Sequence, residues 1–296
     1  MYLLLGHSQD PCCAGVAARL EARGLDARIA ADPLAPPAKL TWRLDARGLT
    51  SRLAAGAADD ALEGVLVRDA SWIDPAGWEP DDHAYMLAEL RAVMLAWLAA
   101  LSCPVVNRPD AANWYRAGVS MLTWRSSLRD SGLRMPEVVI TSDIVEADAF
   151  RRRLGDAGVD GAVYSPLSHG AAYLLDDEDA WKRIAAMQAR TTICLTEPHG
   201  PVTLACVVGG EVIWNGGASS DAIALEAALR RFASAARLSF VEIALARVRA
   251  GLAVVHVDPR PRVERFDAPA AARILDAVVD QLTAARTAAT GALVLS

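Results

Sequence analysis

Three polar side chains in the last quarter of the sequence have the types and spacing to bind a divalent metal ion. His256 and Asp258 lie in the segment VVHVDPRPRVERFD, and Glu242 lies in the preceding apolar segment FVEIAL. Residues two apart in a strand point to the same face, so His256 and Asp258 share a face that Glu242 could reach from a neighbouring strand. Such groups can hold a borderline divalent ion, or they can form a polar cluster hydrogen-bonded within the fold.

The turn after these residues is rich in arginine. Its sequence, RPRVER, contains Arg260, Arg262 and Arg265. The three guanidinium groups could clamp a phosphate or a carboxylate. Arginines on a turn are usually solvated, and that alternative stays open.

A second group of candidate residues follows the first apolar run, YLLLG. His7 stands where a ligand can contact the carboxyl end of a sheet, whereas Ser8 and Asp10 suit a turn-capping role. Cys12 and Cys13 stand at a predicted helix start, where a thiolate would be stabilised. A cysteine nucleophile would also need a base, and only His7 lies close in sequence.

The elements that must position these side chains begin with an alternation of strands and helices in the first third of the chain. A strand in YLLLG is followed by a helix in DPCCAGVAARLEARGL, a strand in DARIA, a short apolar run in GVLVRDASWI, and a helix from about Asp81 to Leu101. The strand in CPVVN ends this part. The pattern predicts a small open sheet of parallel strands, with a domain boundary near Asn107.

The remainder of the chain predicts an α+β arrangement. A helix over about 117–131 and a strand in MPEVVIT are followed by a helix and two hairpin-like strands in GAVYSPLSHGAAYLL. After further strands, a long helix is predicted over about 220–236. Two adjacent strands joined by RAG then precede a final helix over about 268–287.

Composition limits the function classes. The 296 residues carry a net charge of -6, so no basic field is available to hold nucleic acid or an anionic membrane over much of the surface. The most apolar long stretch, around residues 84–103, is interrupted by Glu89 and Arg91 and predicts a buried helix rather than a membrane span. Five cysteines without a CxxC pair indicate neither a disulfide framework nor a zinc site, and we expect a cytoplasmic protein.

The order of these segments resembles the ATP-grasp superfamily, in particular the RimK-like and glutathione-synthetase-like carboxylate–amine ligases. The resemblance covers most of the chain, from the small βα unit through GLRMPEVVITSD, ICLTEPHGPVTLACVVGGEVIW and LAVVHVDPRPRVERFD. It implies an α/β fold of the ATP-grasp kind. We expect a pre-ATP-grasp-like domain over residues 1–106 and an ATP-grasp-like body over 107–296, divided into subdomains 107–190 and 191–296.

In this family two lysines neutralise the triphosphate of ATP, and neither is present at the matching positions. The first position falls at or near Met121, and the second is occupied by Ser165, before Pro166. The only lysines of the chain, Lys39 and Lys182, lie in other segments. An arginine nearby would not automatically reproduce the point charge of a lysine.

The phosphate loop and the adenine-binding hinge are also altered relative to the family. The loop SPLSHGAAY keeps Gly170 and has His169 beside it, so fewer glycines are available to bring backbone N–H groups to a phosphate. The hinge segment CLTEPHG keeps a carboxylate at Glu197. Pro198 follows it and has no N–H to read adenine.

The resemblance also assigns an arginine position and the metal ligands. The arginine position carries Thr203 or Leu204. At the metal positions Glu242 keeps a carboxylate, whereas His256 replaces a glutamate and Asp258 replaces an asparagine. Magnesium clamped between phosphates prefers oxygen ligands, which the histidine does not supply.

Two main functional hypotheses follow from these residues. The first is a degenerate ATP-grasp homologue, a non-catalytic or weakly ligand-binding partner of a biosynthetic enzyme, because a buried triphosphate without either lysine is uncompensated. The second is a divergent ATP- and Mg²⁺-dependent carboxylate–amine ligase. A third, weaker hypothesis is another kind of enzyme with a His-containing metal centre. In each case we expect a protein partner or a homo-oligomer, and neither nucleic acid nor a membrane.

Overall fold

The computed structural model describes residues 1–30, 39–45, 48–54, 62–68, 75–109, 121–166, 172–188 and 190–294. Within these ranges the helices are α1 Pro11–Ala22, α2 Pro80–Ala100, α3 Met121–Asp130, α4 Ile144–Asp156, α5 Glu178–Gln188, α6 Ser220–Ile223, α7 Glu226–Ala235 and α8 Ala268–Val294. The strands are β1 Tyr2–Leu5, β2 Ala27–Ala30, β3 Lys39–Asp45, β4 Gly48–Ala54, β5 Gly64–Val67, β6 Val105–Val106, β7 Val138–Thr141, β8 Ala162–Tyr164, β9 Tyr173–Leu175, β10 Ile193–Thr196, β11 Val202–Val208, β12 Glu211–Trp214, β13 Phe240–Val248 and β14 Gly251–Asp258.

The N-terminal part contains a four-stranded sheet, called here the parallel sheet. Its strand order is β2-β1-β5-β6, and every neighbouring pair is parallel, which confirms the prediction from the strand and helix alternation. Leu3 and Leu5 point to the face that packs with Met94 and Trp97 of α2. Helix α2 is therefore a packing helix, and no helix in the described ranges is long and apolar enough to cross a membrane.

An antiparallel hairpin of β3 and β4 is inserted between β2 and β5. The sequence pattern did not lead us to predict it, although KLTWRLD and GLTSRLA both show the alternation typical of strands. Its two strands pair with each other and with no strand of the three larger sheets in the described ranges.

The middle sheet has the order β7-β10-β8-β9 and is antiparallel. Phe150 of α4 and Trp181 of α5 pack on one of its faces, with Leu195 of β10 below them. The predicted pairing of the strands in GAVYSPLSHGAAYLL is confirmed by β8 and β9. Because β10 lies within 191–296 and its partners lie within 107–190, this sheet draws strands from both predicted subdomains.

The C-terminal sheet has the order β12-β11-β13-β14 and is also antiparallel. Val241 and Ile243 of β13 point to the face that packs with Phe232 of α7 and Trp124 of α3. The other face, called here the inner face, includes Phe240 and packs against α1 and α8. The alternation of β13 thus buries both faces of the sheet.

Helix α8 connects the two ends of the chain. Its buried side chains, including Ile274 and Val278, join α1 and the inner face of the C-terminal sheet in a single core. Two ion pairs, Arg19 with Asp276 and Arg23 with Asp280, lie along the contact between α1 and α8. The final helix was predicted to end near residue 287, and it continues to Val294.

The long helix predicted over 220–236 is wrong in one respect, because it is divided into α6 and α7. Ser219 caps the first piece by accepting a hydrogen bond from the N–H of Ala222. The N–H of Leu225 donates to the carbonyl of Ala222, three residues back, so the backbone tightens between the two pieces. No Gly or Pro marks this break in the sequence.

Candidate functional site

Glu242 is the most deeply buried charged residue of the inner face, with a fully buried side chain. Strand β13 places it between Cys206 of β11 and Asp258 of β14. Its Oε2 accepts a hydrogen bond from the N–H of Arg262 at 3.0 Å, and its Oε1 forms an ion pair with the guanidinium of Arg265. A buried carboxylate requires such partners, and both come from the turn after β14.

Asp258 lies directly across from Glu242 at the end of β14. Its Oδ1 accepts a hydrogen bond from the N–H of Arg260 at 2.8 Å, and its Oδ2 lies 4.0 Å from Nε of Arg262. The arginine-rich turn therefore folds back on the two carboxylates of its own sheet. Arg265 fits neither predicted alternative, a ligand clamp or a solvated side chain, because its guanidinium pairs with Glu242 of the same chain.

His256 completes the predicted triad by sequence, and its position agrees with the shared face. It pairs with Ala244, so it lies on the same face as Glu242 and Asp258, but its side chain is exposed. In the described ranges, no three His, Cys, Asp or Glu side chains are grouped so that they could hold a metal ion. The shared face is confirmed, and a metal at these residues stays a prediction.

A second charged pair lies at the carboxyl end of the parallel sheet. Arg68 follows β5 and is only 9% exposed, and its Nε donates to Oδ2 of Asp10 at 2.8 Å. Asp10 also caps α1, since its Oδ1 accepts a hydrogen bond from the N–H of Cys12 at 2.8 Å. The capping role predicted for Asp10 is confirmed. Arg68 was missed, although a charged residue directly after a buried strand is a signal for it.

The Asp10–Arg68 pair faces the inner face of the C-terminal sheet. The guanidinium carbon of Arg68 lies 5.8 Å from the centre of the Phe240 ring, within cation–π range. Phe240 precedes Glu242 by two residues and therefore shares its face. The two charged clusters thus lie on the same side of β13.

The prediction of a stabilised thiolate at the start of α1 is wrong. Cys12 and Cys13 are fully buried, and burial raises the pKa of each thiol to about 12. Burial likewise raises the pKa of Cys206 well above its usual value. The helix N-terminus favours a thiolate, but the loss of hydration is the larger effect here. His7 is exposed, and its Nδ1 lies 3.2 Å from the N–H of Gln9, within hydrogen-bonding distance.

Three of the residues predicted to contact the nucleotide lie outside the C-terminal sheet: Met121, Ser165 and Glu197. Met121 begins α3 and packs against the core of the C-terminal sheet, while the N–H of Ser165 donates to the carbonyl of Cys194 at 3.0 Å. Glu197 is buried, and its carboxylate accepts a hydrogen bond from the N–H of Glu137 at 2.9 Å. His169 and Gly170 lie outside the described residues.

The register of β11 places Thr203 and Leu204, the two residues predicted for the arginine position, on opposite faces of the C-terminal sheet. Thr203 pairs with Leu245, which lies on the outer face with Phe232, whereas Leu204 pairs with Ala244 on the inner face. Leu204 is therefore the residue that shares a face with Glu242. The side-chain alternation of a strand makes this one-residue difference a change of face.

The fold is similar along almost its whole length to solved structures of known proteins. The macrocyclase MdnC of Microcystis aeruginosa, bound with its precursor peptide MdnA, has 14% identity and a TM-score of 0.76, with 96% of this chain and 100% of that chain covered. The ATP-grasp ligase PsnB complexed with a minimal precursor has 19% identity and a TM-score of 0.72, with 95% and 98% covered. The chain has the ATP-grasp fold.

A third similar structure contains ADP as well as a peptide. It is the RiPP-associated ATP-grasp ligase of Chryseobacterium gregarium in complex with ADP and a leader and core peptide, with 13% identity and a TM-score of 0.71. It covers 95% of this chain and 96% of that chain. No protein-family model and no curated protein matches the sequence.

The metal and nucleotide implied by the ATP-grasp fold can be tested against the residues at the corresponding positions. Both oxygens of Glu242 accept from Arg262 and Arg265, and Asp258 accepts from the turn, so the two carboxylates do not form an open oxygen pair. A magnesium ion does not fit between them as they stand. Met121 and Ser165 are uncharged and offer no compensation for a triphosphate.

A cavity of about 460 Å³ is lined by residues other than those of the two charged clusters, Asp10 with Arg68 and Glu242 with Arg265. It is lined by residues near the β11–β12 turn and the end of α7, among them Arg108, Arg230 and Arg237. The guanidinium of Arg108 donates to the carbonyls of Leu98, Ala99, Leu101 and Cys103 after α2. Its charge is used to cap that helix, and none of the predicted site residues lines the cavity.

Proposed function

We propose that this protein is an ATP-dependent carboxylate–amine ligase that acts on a precursor peptide. The observation that carries the proposal is the full-length similarity to ATP-grasp ligases, several of which are in complex with precursor peptides. Of the two main sequence hypotheses, this comparison favours the ligase over the non-catalytic homologue. The sequence led us to expect a protein partner or a homo-oligomer, and a precursor peptide is a different kind of partner that the comparison suggests.

The chain's own contribution to such a reaction is to hold and desolvate a peptide carboxylate between the parallel sheet and the C-terminal sheet. Both charged clusters, Asp10 with Arg68 and Glu242 with Arg265, lie on this side of β13. Charged groups in a water-poor site act more strongly than in water, so fixed guanidinium groups can orient an anionic substrate. Because magnesium does not fit between Glu242 and Asp258, no reaction step is assigned to those two residues.

A specific observation favours a second function, that of a non-catalytic peptide-binding partner of another ligase. The ion pair between Arg265 and the buried Glu242 places a guanidinium where the ATP-grasp resemblance puts a metal ion. Together with the uncharged Met121 and Ser165, it removes the charge pattern that binds Mg-ATP in the resembled family. In this second function the protein has the ATP-grasp fold and binds a peptide, but it does not bind the nucleotide.

Nucleotide binding and turnover separate the two functions. The purified chain is incubated with Mg-ATP and synthetic peptides that contain Asp or Glu together with Lys, and ADP release and peptide mass are followed. A ligase releases ADP and removes one water from the peptide for each bond formed. A non-catalytic partner binds the peptide, as measured by calorimetry, without ADP release. Absence of both peptide binding and ADP release would refute both functions.

Thermal denaturation with Mg-ATP and Mg-ADP supplies a second readout, because a ligand that binds only the folded state raises the melting temperature. Asp258→Ala should abolish the Mg-ATP effect if Asp258 helps to bind the nucleotide through a metal. Asp276→Ala is the matched control, since Asp276 pairs with Arg19 on the surface. An equal loss of the Mg-ATP effect in both variants would show that the loss is unspecific.

A further inference from the structure

Arg68 carries an unused donor in a buried position. Its side chain is 8% exposed, and its Nε donates to Oδ2 of Asp10 at 2.8 Å. Within the described residues, Nη1 of Arg68 is buried and has no hydrogen-bond partner. A buried charged donor without an acceptor is unfavourable, so this position calls for a further acceptor.

The surroundings of Arg68 favour an anion. It follows β5, next to the end of β1, and ligands of open α/β sheets bind at the carboxyl ends of the strands. Helix α1 begins at the same place and directs the positive end of its dipole there. Two independent features, an unpaired buried guanidinium nitrogen and a helix N-terminus, therefore meet at one point.

The backbone at Gly6 packs closely against Arg68. A Cβ atom at Gly6 would lie 2.8 Å from Sγ of Cys13 and 3.0 Å from Cβ of Arg68. The chain between β1 and α1 therefore packs directly on the stem of Arg68, which limits the rotamers open to that side chain. A fixed guanidinium loses little freedom when it binds a ligand.

The charge balance favours a singly charged ligand over a phosphate. Asp10 already offsets the charge of Arg68, and the thiols of Cys12 and Cys13 stay neutral because burial raises the pKa of each to about 12. The helix N-terminus adds about half a positive charge. About half the charge of one carboxylate is compensated in this setting, whereas a doubly charged phosphate would leave about three times as much negative charge uncompensated.

We propose that Nη1 of Arg68, at the start of α1, binds the carboxylate of an Asp or Glu side chain of the substrate peptide. The identity of the ligand as a peptide rests on the proposed function, whereas the carboxylate site itself does not require ATP. The bound side chain would lie beside the guanidinium of Arg68, at the carboxyl end of the parallel sheet. The site would then select the acidic residue that enters the bond.

The test uses N-acetylglutamate amide as the probe, with N-acetylglutamine amide as its uncharged match, in a buffer free of carboxylates and phosphate. Melting temperature and ligand-observed NMR are recorded for the full chain without nucleotide. We expect the acid to raise the melting temperature and to show saturation transfer, and the amide to do neither. Equal responses to both compounds would overturn the proposal.

Substitutions of Arg68 test whether this residue binds the carboxylate of the probe. Arg68→Gln removes the charge, and Arg68→Lys keeps the charge and the partner Asp10 but lacks Nη1. Both should weaken the acid's binding at least tenfold, and the lysine variant keeps the test valid if the glutamine variant does not fold. Arg273→Gln, which removes an arginine paired with Glu211 on the surface, should bind like the wild type. Unchanged binding by Arg68→Lys would contradict the proposal.

Inorganic phosphate is the third probe, because phosphate and carboxylate share the same donor requirements. If phosphate binds as well as the acid and is lost in the Arg68 variants, the site is a phosphate subsite and the carboxylate proposal is wrong. Failure of the ligase proposal is distinguishable, because it would appear as absent ADP release while the acid still binds. Failure of the carboxylate site would appear as ADP release with no binding of the acid.

Discussion

Two buried arginine–carboxylate pairs lie on the same side of β13 and differ in how fully they are satisfied. Glu242 has no exposed surface, and both of its oxygens are engaged by the turn that contains Arg262 and Arg265. Arg68 is almost as buried, and its Nε donates to Asp10, but within the described ranges its Nη1 has no hydrogen-bond partner. The first pair is complete within the fold, and the second is left with capacity for a ligand.

The difference shows that burial of a charge does not by itself mark a functional site. A buried ion pair whose lone pairs and protons are all used adds little reactivity and costs much to break. A buried pair with an unused donor is costly to keep, and a ligand can relieve that cost. The number of unused polar atoms therefore distinguishes the two clusters better than their charges do.

The largest effect is expected for Asp10→Ala, which removes both functions of Asp10. The α1 cap is lost, at about 1 kcal/mol, and Arg68 remains buried without its carboxylate, at about 2 kcal/mol. We expect the free energy of unfolding, measured in urea, to fall by about 3 kcal/mol. The double variant Asp10→Ala with Arg68→Met should be more stable than Asp10→Ala alone, and a double variant that is less stable would contradict this explanation.

Arg265→Met should break the complete pair at a somewhat smaller cost. It leaves the fully buried carboxylate of Glu242 with the backbone N–H of Arg262 as a partner. Because Arg265 is itself one-third exposed, we expect a loss of about 2 kcal/mol rather than the full value for a buried pair. Arg273→Met, at the surface pair with Glu211, is the control and should cost less than about 1 kcal/mol. Equal losses of stability in Arg265→Met and Arg273→Met would show that the buried pair with Glu242 is no more stabilising than the surface pair with Glu211.

Arg68→Met should cost less than Arg265→Met, and this sharpens the comparison. Asp10 keeps its hydrogen bond with the N–H of Cys12 and is one-fifth exposed, so it remains partly compensated. The substitution also removes the unused donor, which offsets part of the loss. We expect a decrease of about 1 kcal/mol in urea unfolding. A larger decrease than for Arg265→Met would mean that the pair with Asp10 is structural.

The thiols beside Asp10 give the smallest effect per residue, and this effect depends on pH. Burial raises the pKa of Cys12 and Cys13 from 9.0 to about 12, so the folded state keeps them protonated where the unfolded state ionises. Stability is therefore unaffected below pH 9 and falls as the pH rises from about 9 towards 12. At pH 9.5 each thiol should lower the free energy of unfolding by a little less than about 1 kcal/mol.

The measurement for the thiols is urea unfolding at pH 8 and pH 9.5, for the wild type and for Cys12→Ala with Cys13→Ala. The double variant loses packing at both pH values, but the change between them should shrink by about 1–2 kcal/mol. Cys103→Ala is the control, because Cys103 is only partly buried. An unchanged pH dependence in the double variant would refute the assignment.

The sequence predicted those features that follow from local periodicity. The alternation of strands and helices gave the parallel sheet, and the period of two placed His256 and Asp258 on the face of Glu242. The turn chemistry between β13 and β14 predicted their antiparallel pairing. These features require only neighbours in sequence, so the pattern contains them.

The remaining features depend on contacts between distant segments. The partner of Glu242 is 23 residues away, in a turn that the sequence equally allowed to be solvated. Cys12 seemed suited to a thiolate until the packing of α1 against α8 and the C-terminal sheet removed its hydration. Thr203 and Leu204 differ by one residue, and only the register with β13 decides between them.

The packing of α8 on α1 has a consequence for how the protein forms. The core that contains Val16 and Leu20 of α1 is completed by Ile274 and Val278, more than 250 residues later in the chain. During synthesis the first strands and α1 can assemble, but one apolar face of α1 stays exposed to solvent until α8 has been synthesised. Contacts of such long sequence separation slow folding and prolong the exposure of apolar surface. We therefore expect the N-terminal unit to depend on chaperones until translation has passed α8.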